Sequence, residues 1–550
     1  MNSLRAHPCV NSLPSNPGTQ TRFIRIAPLP LLFVLELLAI SVWLDTASLS
    51  HAAGLAWIIG RWGAWTLRFL VVFAALFPIL AYMKKRGEIQ RISIRLAGIP
   101  FSWRLLAGHF CALGAFAFFS IRLFGGLSDN LTAGVWLMAG ALAIILAAFA
   151  FAPPGIWLEA VRATGNVGAY ALVGAVLSCL LGNATRLLWD PAAHGTFVLA
   201  QLFLRPFLPV VVYDPVGYVL GTPSFSVQIA RQCSGLEGAG LMLVFGVVWL
   251  CLFRNEFRFP RALLLIPAGI AVLYLLNGVR IAGLILIGAA GFPGVAMGGF
   301  HSQAGWIAFI AVAAGFALVA QHSPWLTVRP AAASVEKHSV ENPTAAYLAP
   351  FLAILAAAML SRAASGKMEW LYPLRFFAAA AALWLYRRRY ARLDWKFGWA
   401  APAAGLMVFL MWIGLDWVMR VPAASPLAAG LGAWSATARV TWLAFRTLAA
   451  VTTVPVAEEL AFRAFLIRRL MAADFESVDL RSFGWIPALV SSVAFGLLHG
   501  VRWPAGILAG MIYAAVLRRR GRIGDAVLAH AVTNALLAGW VLIGGHWSAW

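Results

Sequence analysis

Hydrophobic stretches of about 20 residues recur along most of the chain and constrain its fold more than any other feature. A helix of that length crosses the ~30 Å hydrocarbon core of a bilayer. Of the 550 residues, 62% are hydrophobic and 11% are charged, whereas a soluble domain rarely exceeds about half apolar residues. The sequence therefore predicts an all-α, polytopic integral membrane protein with about 15 transmembrane helices in two bundles.

The predicted spans form two groups, separated at 321–345 by a stretch that has no long apolar run. We predict a cytoplasmic tail at 1–27, a membrane domain at 28–320, a linker at 321–345 and a second membrane domain at 346–550. No small-residue cleavage site follows the first span, so we expect it to be retained. The predicted spans of the first domain are 28–48, 61–83, 104–124, 131–152, 167–187, 234–253, 262–289 and 303–320. Those of the second are 346–361, 372–386, 397–418, 438–457, 485–498, 504–517 and 524–544.

Basic residues account for the net charge of +22, and they concentrate in four loops between the spans. These loops are 84–95, 254–261, 387–396 and 518–522. Four predicted spans separate each loop from the next, so all four loops can lie in the cytoplasm, as the positive-inside rule requires. No basic stripe with interleaved aromatic residues lies outside the spans, which argues against a nucleic-acid partner.

A first polar cluster interrupts the apolar pattern at Cys233, Arg280 and His301. Ionisable groups at membrane depth are costly and usually functional. The predicted topology brings these three residues together at the outer leaflet, although 47 and 21 residues separate them. A cysteine thiolate is a nucleophile, a histidine can act as base and then as acid, and an arginine can stabilise an oxyanion or hold a substrate carboxylate. The alternative is a small core cysteine, an interfacial arginine and a loop histidine.

The residues around this cluster resemble a known family. Cys233-Ser234-Gly235, then Asn277 to Arg280, then His301 followed by Gly305 is similar to the exosortase/archaeosortase pattern. The resemblance implies a polytopic enzyme that cleaves C-terminal sorting signals of exported proteins and transfers the new C-terminus to an acceptor in some members. It also implies that Cys233, Arg280 and His301 are catalytic. The chain has five cysteines and no CxxC, so neither a disulfide framework nor a zinc site is predicted.

A second polar cluster lies in the C-terminal half and comprises Glu458, Glu459, Arg463, His499, His530 and Asn534. Arg463 follows Glu459 by four residues, one helical turn, so the two can form an ion pair. Glu458 then points about 100° away and is left free to activate water. His530 and Asn534 share a helix face and can hold an oxyanion.

Other interpretations of the second cluster stay open at this point. Zinc bound by Glu458, His499 and His530 is one of them, although the HExxH spacing is absent. A buried salt bridge with core histidines, or a transporter's proton relay, is another. The favoured interpretation requires no cofactor.

The second cluster also resembles a family, the CPBP intramembrane proteases, which include the CAAX prenyl-protein endopeptidases. The shared motifs are Glu-Glu-x-x-x-Arg, Phe-x-x-x-His and His-x-x-x-Asn. The resemblance implies that Glu458 is the general base and that His499 assists it. It implies that Glu459 and Arg463 organise the helix, and that His530 and Asn534 form the oxyanion hole.

The fusion of both patterns resembles exosortase E, whose inferred substrates end in a VPEID-CTERM-like signal. We therefore predict a two-domain enzyme of the bacterial inner membrane, embedded in the lipid bilayer. Its first half is a cysteine peptidase or transpeptidase that acts at the outer face on exported proteins, and its second half is a glutamate-dependent intramembrane endopeptidase. The main alternative is a polytopic transporter or lipid-handling protein, which predicts charges along a path between both faces. A second alternative is a fusion in which one domain is only a scaffold. No GxxxxGK[ST] motif supports ATP-driven action.

Overall fold

The structure is a computed structural model that describes residues 36, 49, 52–125, 129–208, 212–230, 233–328, 342–366, 368–418, 426–472, 474–482 and 484–550. The chain is 79% helical, which confirms the predicted all-α class. The predicted tail at 1–27 lies outside the described residues, as do most of the predicted span at 28–48 and of the predicted linker at 321–345. The chain divides into two compact units, Met1–Leu187 and Leu188–Trp550.

The first unit is a bundle of helices. Its described helices are α1 (Gly54–Ala97), α2 (Trp103–Phe124), α3 (Asn130–Phe151), α4 (Pro154–Thr164) and α5 (Val167–Leu187). Helix α4 meets α5 at a bend of 82°. Helices α2 and α3 pack closely because α3 buries a series of alanines, and small side chains let membrane helices approach.

One buried polar pair lies within the first unit. His109 of α2 is fully buried, its Nε2 lies 2.7 Å from Oε1 of Glu36, and its Nδ1 lies 2.9 Å from the carbonyl oxygen of Ala143. Both ring nitrogens are therefore satisfied, as burial demands. The sequence reasoning did not single out this pair.

The second unit begins with α6 (Trp189–Leu204) and a small antiparallel sheet in the order β1-β2-β3. The strands are β1 (Val212–Asp214), β2 (Val219–Gly221) and β3 (Ser226–Gln228). The sequence did not predict this sheet, because strands of three residues are too short to show a period of two.

Three membrane helices follow the sheet. They are α7 (Leu236–Leu252), α8 (Leu265–Ala289) and α9 (His301–His322). A 3-10 turn at Arg261–Leu264 leads into α8, whereas a helical turn at Pro293–Val295 and a π-helix at Ala296–Phe300 lead into α9. The backbone N–H of Gly299 donates to the carbonyl of Ser365 at 3.1 Å, which ties the start of α9 to the C-terminal part of the same unit.

The C-terminal part of the second unit holds eight further helices. They are α10 (Pro343–Ala363), α11 (Pro373–Leu385), α12 (Ala400–Val418), α13 (Pro426–Gly432), α14 (Ala436–Met471), α15 (Trp485–Leu497), α16 (Trp503–Arg520) and α17 (Ile523–Leu542). Short helical turns occur at Arg387–Tyr390, Phe475–Ser477, Gly500–Arg502 and Trp547–Ala549. Helix α14 is continuous but contains two π-helical segments, Ala449–Thr453 and Glu459–Leu466.

Many of the helices are long and apolar enough to cross a membrane. Within the described ranges, nine helices meet this requirement by length and composition, or up to eleven if each of two bent pairs counts as one span. The apolar helices Leu236–Leu252, Pro373–Leu385 and Trp485–Leu497 are shorter than the others. The protein is therefore a multi-pass membrane protein, as predicted, whereas the sequence reasoning counted about 15 spans.

Glycines set the close packing around the second polar cluster. A Cβ at Gly496 of α15 would lie 2.7 Å from the carbonyl oxygen of Trp503, and one at Gly405 of α12 would lie 2.8 Å from Cβ of Val532. Only glycine permits these approaches. They hold α15 against α16 and α12 against α17, which carry or flank the polar side chains.

Candidate active sites

Cys233 lies between the small sheet and α7. It is 7% exposed and packs with Phe197 of α6, Ile229 and Ile281 of α8. Gly235, two residues later, caps α7 with φ +84°, a backbone conformation that side chains rarely tolerate. A Cβ there would also lie 3.0 Å from the ring of Tyr274. Glycine is therefore required for the chain to turn from Cys233 into α7.

Asn277 and Thr196 hold the main chain at Cys233. The Nδ2 of Asn277 donates to the carbonyl oxygen of Cys233 at 2.8 Å, and the hydroxyl of Thr196 donates to that of Ser234 at 3.1 Å. Asn277 was part of the predicted cluster, whereas Thr196 was missed. A threonine within an apolar helix carries no signal of its own, so only the tertiary structure identifies it.

Arg280 connects Asn277 with His301. Its Nη1 donates to Oδ1 of Asn277 at 3.2 Å, and its Nη2 donates to the carbonyl oxygen of His301 at 2.7 Å and lies 3.4 Å from Nδ1 of that ring. Its Nε is buried without a hydrogen-bond partner among the described residues. The structure thus links the main chain of Cys233, the guanidinium and the histidine in one network. An unsatisfied guanidinium N–H is a donor suited to a developing oxyanion.

Arg231 and Gln232, the polar residues that precede Cys233 in the sequence, lie outside the described residues. The motif residues that follow are described. Gly305 of α9 lies against Arg280, because a Cβ at this glycine would be 3.9 Å from the guanidinium carbon. A small residue one turn after His301 therefore leaves room for the arginine.

The second cluster is built on α14, where a π-helix begins at Glu459. Glu459 is fully buried, and its Oε2 lies 3.1 Å from Nε of Arg463, so the ion pair expected from the spacing is present. The guanidinium of Arg463 lies 4.1 Å from the ring centre of Phe495 and 5.3 Å from that of Tyr513. π-helical turns are rare and occur frequently at functional sites.

His530 of α17 faces both carboxylates. Its Nδ1 lies 2.9 Å from Oε1 of Glu459, and its Nε2 lies 3.7 Å from Oε2 of Glu458. The ring stacks on Tyr513 with centres 5.0 Å apart. Glu458 is 13% exposed and is therefore the more accessible carboxylate. The helical geometry predicted that Glu458 would be free of contacts, whereas it has His530 as a neighbour.

Asn534 lies one turn after His530 on α17. Its Nδ2 donates to the carbonyl oxygen of Ala450 at 2.8 Å, and Ala450 belongs to the first π-helical segment of α14. An amide nitrogen has two hydrogens, so this bond occupies one and leaves the second. The Nδ1 of His530 is engaged by Glu459, so Nε2 carries a hydrogen that it can donate only when the ring is protonated.

His499 follows α15 in a tight turn. Its Nδ1 lies 2.9 Å from the carbonyl oxygen of Phe495, and a carbonyl can only accept. The proton of the neutral ring therefore resides on Nδ1, and Nε2 presents a lone pair. The ring of Trp412 packs edge-on at 5.3 Å. This tautomer makes His499 a proton acceptor.

Asp416 and Arg502 hold the turn that carries His499. The Nε of Arg502 lies 2.8 and 2.9 Å from the two carboxylate oxygens of Asp416, and its Nη2 donates to the carbonyl oxygen of Ser548 at 2.8 Å. The sequence reasoning missed this pair, although a lone aspartate in the apolar span at 397–418 was a usable signal.

No metal centre is evident in the part of the chain that the structure describes. Within it, no group of three or more His, Cys, Asp or Glu side chains could hold a metal ion. The two carboxylates of α14 instead contact His530 of α17, and Glu459 also pairs with Arg463.

Comparison with known proteins gives two family matches. Residues 65–318 match the family model described as transmembrane exosortase (EpsH type). Residues 440–536 match the one described as type II CAAX prenyl endopeptidase, Rce1-like. No curated protein and no solved structure matches. The matches confirm the predicted combination of an exosortase region with a CAAX-type protease region. They identify a membrane-embedded peptidase that acts on protein substrates.

Proposed function

We propose that this chain, which joins a transmembrane exosortase region to a Rce1-like endopeptidase region, is a two-site peptidase of a bacterial inner membrane. Its first site, at Cys233, cleaves C-terminal sorting signals of the VPEID-CTERM-like type from exported proteins. Its second site, at Glu458, is a glutamate-dependent intramembrane endopeptidase. Residues 28–320 carry the first activity, 346–550 carry the second, and 321–345 link them.

The first reaction uses Cys233 as nucleophile. The thiol gives its proton to His301 and attacks the scissile carbonyl, so that a C–S bond forms and the carbonyl oxygen becomes an oxyanion. The Nε–H of Arg280 stabilises that oxyanion. The C–N bond then breaks, and His301 returns the proton to the leaving amine. Water, or the amine of an acceptor, resolves the thioester and releases Cys233.

The single observation that carries this assignment is the connection through Arg280. The guanidinium contacts His301 directly and reaches the Cys233 main chain through Asn277, yet it keeps a buried Nε–H without a partner among the described residues. An unsatisfied buried donor is costly, so a ligand that accepts its hydrogen bond is expected. A peptide carbonyl fits that requirement.

The small sheet supports a position at the membrane surface for this site. Its outer strands β1 and β3 each have one open edge, and open sheet edges exposed to lipid do not occur in the hydrocarbon region. Cys233 follows β3 by five residues, which supports a position close to the membrane surface. The charge pattern assigns that interface to the outer face.

In the second reaction Glu458 takes a proton from water, whose oxygen attacks the scissile carbonyl to form an oxyanion. The C–N bond then breaks, and Glu458 passes the proton to the leaving amine. Among the two adjacent carboxylates it is the accessible one, whereas Glu459 is held by Arg463 and His530. The lone pair on Nε2 of His499 accepts a hydrogen bond from the same water. The oxyanion accepts from the second Nδ2 hydrogen of Asn534 and, when His530 is protonated, from its Nε2–H.

The experiment follows the mature C-terminus of a sorting-signal protein by mass in cells that carry the wild type or single variants. We expect full-length substrate in Cys233→Ala and cleaved substrate in Cys251→Ala, the matched control, which replaces an exposed cysteine of α7. Cleavage in Cys233→Ala would refute the first assignment. The Glu458→Ala variant is measured beside them, and loss of cleavage only in that variant would make the second site the processing site.

A further inference from the structure

Strand β3 leaves one edge of the small sheet unpaired. The hydrogen-bonded pairs of the β2–β3 ladder alternate, with Thr222 bonded to Phe225 and Ile229 bonded to Tyr218. Leu220 and Val227 are therefore the next bonded pair, so the main-chain groups of Ser226 and Gln228 point away from β2. Among the described residues, no partner contacts the N–H or C=O of Ser226 or the N–H of Gln228.

The open edge is accessible, and its strand packs on the hydrophobic cluster that contains the cysteine. Ser226 and Gln228 are exposed, whereas Val227 between them points inward. Val227 packs against the cluster that contains Cys233, Leu220 and Ile229, together with residues of α6 and α8. The strand and the nucleophile therefore share one hydrophobic core, which favours binding of a β3-paired peptide near the thiol.

The distance along the chain is short. Gln228 precedes Cys233 by five residues, which spans at most ~18 Å when fully extended. Cys233 lies close to Ala230, since the N–H of Cys233 donates to the carbonyl of Ala230 at 2.9 Å. A substrate strand paired with β3 therefore reaches the thiol within about five residues of its paired segment.

A cleft lies beside the end of β3. Its volume is about 540 Å³, and its lining includes Asp190, Gly217, Tyr218, Gln228 and Ala230. Tyr218 adopts φ +52°, the only non-glycine residue with positive φ among those described, and such strain concentrates at functional sites. The cleft offers space for a side chain of a peptide that is paired with β3.

We propose that β3 binds the substrate by strand addition, pairing with the extended segment that precedes the scissile bond. This inference rests on the proposed function of Cys233. Main-chain pairing holds any extended sequence, and pockets for alternate side chains supply selectivity. The occupant is a polypeptide strand because the unpaired groups are alternating backbone donors and acceptors, the pattern that another strand complements.

The test compares proline at the two open edges of the sheet. Ser226→Pro removes an outward N–H of β3 and places a ring on that edge, whereas Tyr213→Pro does the same at the opposite edge on β1. Proline is tolerated where a strand N–H faces solvent. We expect Ser226→Pro to slow cleavage of the sorting-signal protein at least about tenfold, since one hydrogen bond and the approach of the partner strand are lost. Tyr213→Pro is the harsher change, because it also removes a ring that packs on Phe197, but we expect it to retain cleavage.

A second measurement keeps the proposal refutable if both prolines disturb folding. The variant Cys233→Ala/Ser226→Cys is mixed with a series of substrates and oxidised. Each substrate carries a single cysteine at a different position before the scissile bond. Strand pairing predicts disulfides at alternate substrate positions, because neighbouring residues of a strand face opposite sides. Tyr213→Cys is the control and forms none of them.

The outcomes distinguish a failure of strand addition from a failure of the proposed peptidase function of Cys233. Normal cleavage by Ser226→Pro with none by Cys233→Ala overturns strand addition and leaves the cysteine peptidase intact. Cleavage by Cys233→Ala overturns the function itself. Crosslinks without alternation, crosslinks at β1 instead, or a Ser226→Cys dimer in place of a substrate adduct each overturn the binding of substrate at β3.

Discussion

The pair of Glu459 and Arg463 gives a prediction that can be worked from its geometry. Both side chains are buried, at 0% and 1% exposure, and Nε lies 3.1 Å from Oε2. Removing one partner of a buried ion pair costs about 3–5 kcal/mol, mainly because a charge is left without a counterion. Arg463 also stacks on Phe495 at 4.1 Å, which adds about 2 kcal/mol when desolvated. His530 still contacts Glu459 after the change, which lowers the cost.

We expect Arg463→Met, which largely conserves volume, to lower the free energy of unfolding of this bundle by about 4 kcal/mol. The double variant Glu459→Gln/Arg463→Met carries no unpaired charge, and the new amide oxygen can still accept a hydrogen bond from His530. It should therefore be more stable than Arg463→Met alone by about 2 kcal/mol. With the single variant Glu459→Gln completing the cycle, the coupling free energy is then at least about 2 kcal/mol, which is the signature of the ion pair.

The assay uses a reporter cysteine at position 509. All five native cysteines precede residue 252, so Ala509→Cys is the only thiol in the C-terminal part. Ala509 of α16 is 1% exposed and becomes accessible only when the bundle opens. Pulsed alkylation across a denaturant series, with the labelled peptide quantified by mass, reports its opening free energy. Additivity of the two changes within about 0.5 kcal/mol would refute the reasoning.

Three further predictions concern residues that position the two sites. Gly235→Ala should abolish cleavage at the first site, because a side chain is strained at φ +84°. Gly238 has open space around it, so Gly238→Ala should give the same cleaved fraction of substrate as the wild type. Thr196→Val should slow the same cleavage about tenfold, because the hydrogen bond to the carbonyl of Ser234 is lost, whereas Thr196→Ser should cleave at the wild-type rate. An equal loss of rate in both variants would show that this hydrogen bond does not support cleavage. Arg502→Ala should lower kcat of the second site about a hundredfold with little change in KM, and the exchange Asp416→Arg/Arg502→Asp should restore part of the lost kcat. An unchanged kcat in Arg502→Ala would show that His499 does not depend on this pair.

The sequence predicted the membrane class and the residue clusters because these depend on local signals. Apolar runs of about 20 residues identify spans wherever they occur. The four-residue spacing of Glu459 and Arg463 predicts a contact within one helix, which the structure contains. Residues at great separation, such as Cys233 and Arg280, were brought together only by the alternation of spans and basic loops.

Other features required the tertiary structure. The contact of His530 with Glu459 joins residues 71 apart, and no local pattern specifies which of the two carboxylates it meets. The π-helical start at Glu459 has no compositional signal, since the same residues suit an α-helix. The small sheet was missed because its strands are three residues long, and Thr196 was missed because threonine is common in apolar helices.

The thioester at Cys233 tests the central claim most directly. Purified full-length enzyme is mixed with a sorting-signal substrate, quenched in acid during turnover and digested, and the mass of the Cys233 peptide is measured with and without hydroxylamine. We expect an adduct on Cys233 whose mass equals that of the substrate fragment with the new C-terminus and which hydroxylamine removes. Cleavage of the substrate with no adduct on Cys233, and with equal cleavage by Cys233→Ala, would contradict it.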